Sequence, residues 1–361
     1  MRVVAHNGAR IWGGAERATV LLLRGLADRG HDVMLLCNST LVAERAIAHG
    51  VPAQICVIGG DIAVHHAYRL SRVLRKLEPD VFIVGTFKKL FLAALGARLA
   101  RVPRIIARVG LETDTPRSWK YRKALRSWVD GVVVNAQRMA KSFTTLAGFD
   151  PDKVRIIWNG VRSPQLKRDP GSVRRELGLA EDTFVIGSVG RLAKQKRIDR
   201  LIDVMALLPG AQCIVAGDGT RRKALEEHMY KKGVADRIHF LGERDDTADV
   251  IDALDVFVVT SDTEGLSNAM LEAMARRRPV VSTPVSGADD ALSGDEQDPP
   301  AGVVAGFSPD AIASVIAELR DDPRRRDELA AAAQLRAETR FSIDRMLDGW
   351  EEFLERRTRI K

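Results

Sequence analysis

Short apolar runs alternate with stretches of helical period along the whole chain. Runs near 2–6, 32–37, 54–58, 80–85, 104–108, 131–135 and 154–157 read as buried strands of a first half. Runs near 183–189, 211–216, 237–240, 255–260, 279–283 and 301–304 read the same way in a second half. Strands alternating with helical patterns predict two parallel-sheet domains of Rossmann type, an α/β fold. The turn-rich stretch Asn159-Gly160-Val161-Arg162-Ser163-Pro164 predicts the boundary, giving domains 1–163 and 164–340. From Ser308 onward the pattern is helical to the end.

Composition adds limits. A chain of 361 residues with 45% apolar content suits two globular domains. No run of 18 apolar residues occurs, so no membrane span is expected, and Met1-Arg2 leads into a strand pattern rather than a signal peptide. Cys37, Cys56 and Cys213 lie in apolar runs without metal-ligand spacing, which predicts reduced core thiols and a cytoplasmic location.

The densest chemistry follows the run Val256–Val259. In Thr263-Glu264-Gly265-Leu266-Ser267-Asn268-Ala269-Met270-Leu271-Glu272, Glu264 falls in a turn and Glu272 on the helix that good helix formers predict from Met270. The N–H groups of Leu266, Ser267 and Asn268 lie at the helix start, where the helix itself offers no acceptor, so they make an anion site. Carboxylates repel phosphate but accept from hydroxyl pairs. The arrangement suits a diphosphate flanked by sugars. Seventy residues upstream, a strand ends in Gly190-Arg191-Leu192-Ala193-Lys194-Gln195-Lys196. Arg191 can fork two oxygens of one phosphate and Lys196 can add a point charge.

The first segment resembles the E-x7-E motif of family 4 retaining glycosyltransferases, and the second is similar to that family's G-R-L-x-x-x-K segment. Asn159-Gly160-Val161 is similar to its interdomain linker. The resemblance implies the GT-B fold: two Rossmann-like domains facing a cleft, with a terminal helix, 341–361, crossing back to the first. It implies a nucleotide-sugar donor, UDP- or GDP-linked, held mainly by the second domain, with no cofactor and no metal. By resemblance the diphosphate rests on Gly190, Arg191, Lys196, Leu266, Ser267 and Asn268, with Gly265 in the turn. Glu272 takes ribose hydroxyls and Glu264 the sugar hydroxyls, so that Glu264, Arg191 and Lys196 carry catalysis. Gly217 and Arg244 fall near the nucleotide, and the loop of Gly13 and Gly14 faces donor and acceptor. Family members often carry a histidine in the first-domain loop; here Ile105–Asp114 has none, and Glu112 or Asp114 is the candidate in its place. No D-x-D stands where a metal-dependent transferase needs one, and Asp245-Asp246 reads as acidic helix capping. A non-catalytic sugar-nucleotide or glycan binder and a GT-B epimerase remain as alternatives; the intact Arg191, Lys196, Glu264 and Glu272 favour transfer of a hexose-type sugar to a glycan or lipid-linked acceptor in cell-surface polysaccharide or lipopolysaccharide synthesis.

Charge is uneven. Residues 1–165 hold 26 Lys+Arg against 12 Asp+Glu, net +14, and the remainder 30 against 36, net −6. Arg117–Trp128 interleaves cations with Trp119, Tyr121 and Trp128 on a helical pattern. A solvated basic face with the tryptophans in the core and an anionic membrane surface with the aromatics at the headgroups both fit, the latter placing the chain on the inner face of the plasma membrane. Nucleic acid explains neither the donor motifs nor the tryptophans, and is not expected as a partner.

Overall fold

The computed structural model describes all residues except 61–62, 115–117, 148, 164, 170, 295–297 and 356–361, and of 146–147 only the backbone. Arg117, Pro164 and the last residues, 356–361, of the expected terminal helix lie outside the described residues.

The chain forms two compact units, Met1–Asn159 with Ile343–Lys361, and Gly160–Ser342. The first holds β1 (Arg2–Asn7), β2 (Asp32–Cys37), β3 (Ala53–Ile55), β4 (Val81–Val84), β5 (Arg104–Val109), β6 (Gly131–Val134) and β7 (Val154–Ile156). They pair in the order β3-β2-β1-β4-β5-β6-β7, with every pairing parallel. The second unit holds β8 (Val185–Val189), β9 (Gln212–Ala216), β10 (Ile238–Gly242), β11 (Val256–Val259), β12 (Val280–Ser282) and β13 (Gly302–Val304). Their order is β10-β9-β8-β11-β12-β13, again all parallel. The architecture is α/β with two Rossmann-like sheets, as the alternation predicts.

Central strands are apolar on both faces because helices cover both, the usual condition of a parallel sheet. Val81–Val84, Gly131–Val134 and Val256–Val259 are buried at every residue. At the edge, β3 is shorter than its apolar run. Cys56 and Ile58 stay buried, but Ile58 N–H bonds the Asn38 side chain instead of a strand.

The helical tail divides between the units. Helix Pro309–Asp321 is capped by Ser308, whose hydroxyl accepts from Ala311 N–H at 3.2 Å. Helix Pro323–Thr339 is capped by Asp322, which accepts from Arg325 N–H at 3.0 Å. Helix Ile343–Glu355 buries Met346, Leu347, Trp350, Phe353 and Leu354 in the first unit's core with Val3, Leu23, Ile106 and Val133. Among the described residues no helix is long and apolar enough to cross a membrane.

Helix Trp119–Trp128 shows which way each of its aromatics faces. Tyr121 lies 5.0 Å from the Phe87 ring and Trp128 lies 5.1 Å from that of Phe91, both half-buried. Only Trp119 of the three aromatics projects, at 70% exposure. Helical period turns the other two inward, since the helix must cover an apolar floor.

Candidate functional site

In a doubly wound sheet the connections leaving two adjacent strands diverge where strand order reverses, and a crevice opens at their carboxyl ends. In the second unit that point lies between β8 and β11. Gly190 and Arg191 follow β8, and Thr260 to Ser267 follow β11. Ser188, Gly190, Arg191, Lys196, Ser261, Glu264 and Ser267 line one recess there. Seven of the sequence-predicted residues thus sit in or beside one place: Gly190, Arg191, Lys196, Glu264, Gly265, Leu266 and Ser267.

Glu264 is buried and Lys196 half-buried. Lys196 Nζ donates to Glu264 Oε1 in a direct ion pair. Ser261 Oγ donates to the same oxygen at 2.6 Å. Burial on one side and recess on the other make this a low-dielectric pair with one face open to a ligand. Arg191 is exposed, and its guanidinium makes no hydrogen bond among the described residues.

The two loops carrying this pair are stitched together. Thr260 Oγ1 donates to Lys196 O at 2.9 Å, and Asp262 N–H to Gln195 O at 2.9 Å. Buried Arg200 reaches Thr260 O at 2.5 Å and Asp262 Oδ1 at 2.8 Å. Arg197, held in the left-handed region at φ 50°, also pairs with Asp262, at 3.1 Å. These cations hold the Asp262 carboxyl below its usual range, against the opposing push of burial. Arg200 and Asp262 carry no motif signal in the sequence; Arg200 stands in the first turn of helix Ile198–Ala206, just past Lys196, and only the fold brings Asp262 to it.

Glycines set the close approaches. Gly217 has φ 131°, and a Cβ on it would meet Gly190 O at 2.0 Å. It therefore shapes the Gly190 turn from behind. Gly287, which no motif marks, supports the other loop: its Cβ would stand 2.6 Å from Leu266 Cα and 2.7 Å from Gly265 O. Gly287 N–H also donates to Gly265 O at 3.1 Å.

Ser267 is the N-cap of helix Asn268–Ala275, with no side-chain cap bond. Ser267 and Ala269, at the start of this helix, both line the recess. The helix begins at Asn268, two residues before the propensity pattern, because Ser267 O already accepts from Leu271 N–H at 3.1 Å. Glu272 is half-buried in its second turn.

Arg244 is placed differently. Its guanidinium pairs with Glu176 at 2.8 Å and Asp246 at 2.6 Å, and Arg168 joins both acids. The two arginines hold the Glu176 and Asp246 carboxyls down near about 2. The Asp246 side chain makes no cap bond to the helix it precedes, so pairing replaces the expected capping.

Gly13 and Gly14 lie in the first unit, where Gly13 is the extended N-cap of helix Gly14–Asp28. A Cβ on Gly13 would meet Glu16 Oε2 at 3.2 Å. Asp114 is half-buried, and burial pushes its carboxyl up to about 6 against the pull of Lys88.

Residues 171–336 match the family model for glycosyl transferases group 1, and residues 12–163 match that for glycosyltransferase family 4. The chain is 31% identical over 282 residues to the lipopolysaccharide core biosynthesis glycosyltransferase LpsE of Rhizobium meliloti, covering 75% of this chain and 76% of that one. It is 26% identical over 347 residues to LpsD of the same organism, a lipopolysaccharide core biosynthesis glycosyltransferase, covering 95% of each. Among solved structures, Anabaena Alr3699/HepE in complex with UDP-glucose shares the fold at TM-score 0.85 and 22% identity, covering 98% of this chain and 99% of that one.

Proposed function

The chain belongs to the family 4 glycosyltransferases, and on that premise we propose that it moves a hexose-type sugar from a UDP- or GDP-sugar to a glycan or lipid-linked acceptor, with retention at the anomeric carbon. The observation that carries the reading is the recess at the β8/β11 switch, where Arg191, Lys196 and Glu264 converge. Arg191 and Lys196, with the helix start at Ser267 and Asn268, hold the diphosphate. Glu264 accepts from hydroxyls of the transferred sugar, and Glu272 from ribose.

In the proposed step the bond from the anomeric carbon to the phosphate oxygen breaks on the face where the acceptor oxygen attacks. The acceptor proton passes to that departing phosphate oxygen. Fixed cations stabilise the charge that builds there. Lipopolysaccharide core assembly fits as the setting, because LpsD and LpsE carry that role in their names. The basic helix Trp119–Trp128, with Trp119, Arg122, Lys123 and Arg126 exposed, suits docking on an anionic membrane surface.

The test is release of nucleoside diphosphate from a panel of UDP- and GDP-sugars, with and without core-oligosaccharide acceptors. Release that depends on acceptor, with product of unchanged anomeric configuration by NMR, is expected. Release without acceptor, or none with any donor, overturns the reading in favour of an epimerase or a binding module.

A further inference from the structure

We propose that the carboxyl edge of the first unit's sheet binds an anionic group of the acceptor, a phosphate or a carboxylate carried on a sugar, through Arg108. The inference rests on the glycosyltransferase reading and names the acceptor class.

Strand order in this sheet reverses between β1 and β4, the place where a doubly wound sheet takes its ligand, at the carboxyl ends of those strands. Arg108 stands near the end of the next strand, β5, opposite Val133 of β6. Its Nη1 donates to Thr19 Oγ1 at 2.9 Å and its Nη2 to Asn159 Oδ1 at 3.3 Å. The Thr19 hydroxyl spends its own proton on Ala15 O at 2.9 Å, so it can only accept from Arg108. Gly85, beside β5 at the end of β4, makes room: a Cβ there would lie 3.8 Å from Thr19 Oγ1 and 3.2 Å from His6 O.

Both partners of Arg108 are neutral. Several guanidiniums withdrawn from solvent meet a carboxylate: Arg98 with Asp130, Arg174 with Asp255, Arg200 with Asp262 and Arg244 with Asp246. Arg237 instead spends its fork on the carbonyls of Met205, Leu208 and Ala211, and Arg336 on those of Ala291, Ser293 and Pro299, whereas Arg108 meets one hydroxyl and one amide oxygen. Arg108 forms no such pair among the described residues. Its one acidic influence is Glu16, felt through space. Glu16 is buried and takes a long bond of 3.4 Å from Asn7 Nδ2. Burial lowers the proton affinity of Arg108 to about 10, the mark of a cation short of compensation. At the same edge, just after β6, Asn135 is buried with its Oδ1 unpartnered.

A guanidinium fixed by two neutral bonds still presents the rest of its fork. An oxyanion there gains charge-assisted bonds in a poorly hydrated place, whereas a neutral hydroxyl gains far less. Glu16 beside it is an acceptor for sugar hydroxyls. Together they fit an acidic or phosphorylated sugar better than a neutral one.

The experiment titrates the full chain with glucose, glucose 6-phosphate and glucuronate by ligand-observed NMR. Affinity for UDP and GDP is measured separately by calorimetry. One of the two anionic sugars is expected to bind at least tenfold tighter than glucose, and which one identifies the anion. Arg108→Met is expected to abolish that preference and Arg108→Lys to keep part of it, with nucleotide affinity unchanged in both. Equal affinity for the three sugars on the wild-type chain overturns the proposal without need of any variant. So does an unchanged preference in a folded Arg108→Met chain, or a loss confined to nucleotide binding, which assigns the cation to the donor. Absence of nucleotide binding by the wild type fails the transferase reading instead, whatever the sugars do.

Discussion

Lys196 and Glu264, 68 residues apart in sequence, neutralise each other directly at the β8/β11 switch. Each was expected to meet a different part of the donor. On the proposed roles, a diphosphate that draws Lys196 toward itself releases Glu264 for the sugar hydroxyls, which would link binding and readiness to react in one exchange. Glu264→Gln is expected to lower turnover about ten- to hundredfold with a smaller change in donor affinity, the worth of one charge-assisted hydrogen bond. Glu272→Ala is expected to do the reverse. Because Lys196 and Glu264 touch, Lys196→Ala combined with Glu264→Gln costs less than the two single losses added. Steady-state kinetics on the four variants decide this, and strict additivity removes the proposed exchange.

Activity is expected to survive exhaustive chelation. In the proposed site, Arg191, Lys196 and the start of helix Asn268–Ala275 are the positive charge offered to the leaving diphosphate. Turnover after EDTA treatment is the readout; a loss that Mg²⁺ or Mn²⁺ restores contradicts the assignment.

Gly287→Ala is expected to weaken donor binding although residue 287 belongs to no motif. Its Cβ would press into backbone, on Leu266 Cα at 2.6 Å and Gly265 O at 2.7 Å, and backbone has no rotamer to yield. Overpacking of this kind costs about 1–3 kcal/mol. Calorimetry with UDP or GDP, beside a melting curve, checks it: wild-type affinity in the variant shows that the loop is not held from there.

The Arg244 cluster predicts a pH dependence of stability. Glu176 and Asp246 are held down near about 2, from ordinary values of 4.5 and 3.8. A depressed acid stabilises the fold above its ordinary value, and the contribution disappears as pH falls from about 4 toward 2. Arg244→Gln is therefore expected to lower Tm at neutral pH, with the gap to wild type closing in that window. A gap constant down to pH 2 rules out the ion pairs as its origin. Nucleotide affinity of the same variant tests whether Arg244 also serves the base.

Vesicle sedimentation tests the surface of helix Trp119–Trp128. Changing Lys120, Arg122, Lys123 and Arg126 to Ser is expected to release the chain from anionic vesicles, since each engaged cation contributes about 1 kcal/mol. Equal binding to neutral vesicles, or no effect of the four changes, leaves a soluble acceptor.

The strands were legible because both faces of a parallel sheet are covered, which writes each one as an uninterrupted apolar run bounded by turns. Where cover fails at the edge, as at β3, the run outlasted the strand. The residues around the switch were legible because Arg191, Lys196, Glu264 and the helix start carry side-chain or backbone chemistry that a sequence displays directly. Arg200, Asp262 and Gly287 were not. Their roles depend on which loops meet in space, and a buried ion pair or a missing Cβ leaves no periodic trace. The side that Tyr121 and Trp128 take was left open for a related reason. Composition records that aromatics and cations alternate but not which side of the helix faces Phe87 and Phe91.

The first unit is discontinuous, closing its core with Trp350, Phe353 and Leu354 from beyond residue 342. During synthesis its sheet emerges first yet must wait for the last helix, while residues 160–342 emerge as an uninterrupted segment able to fold meanwhile. At roughly 5–20 residues per second that wait lasts on the order of ten to forty seconds. Throughout it, Val3, Leu23, Ile106 and Val133 lack their final cover, so synthesis interrupted before residue 343 leaves that apolar floor open to other chains.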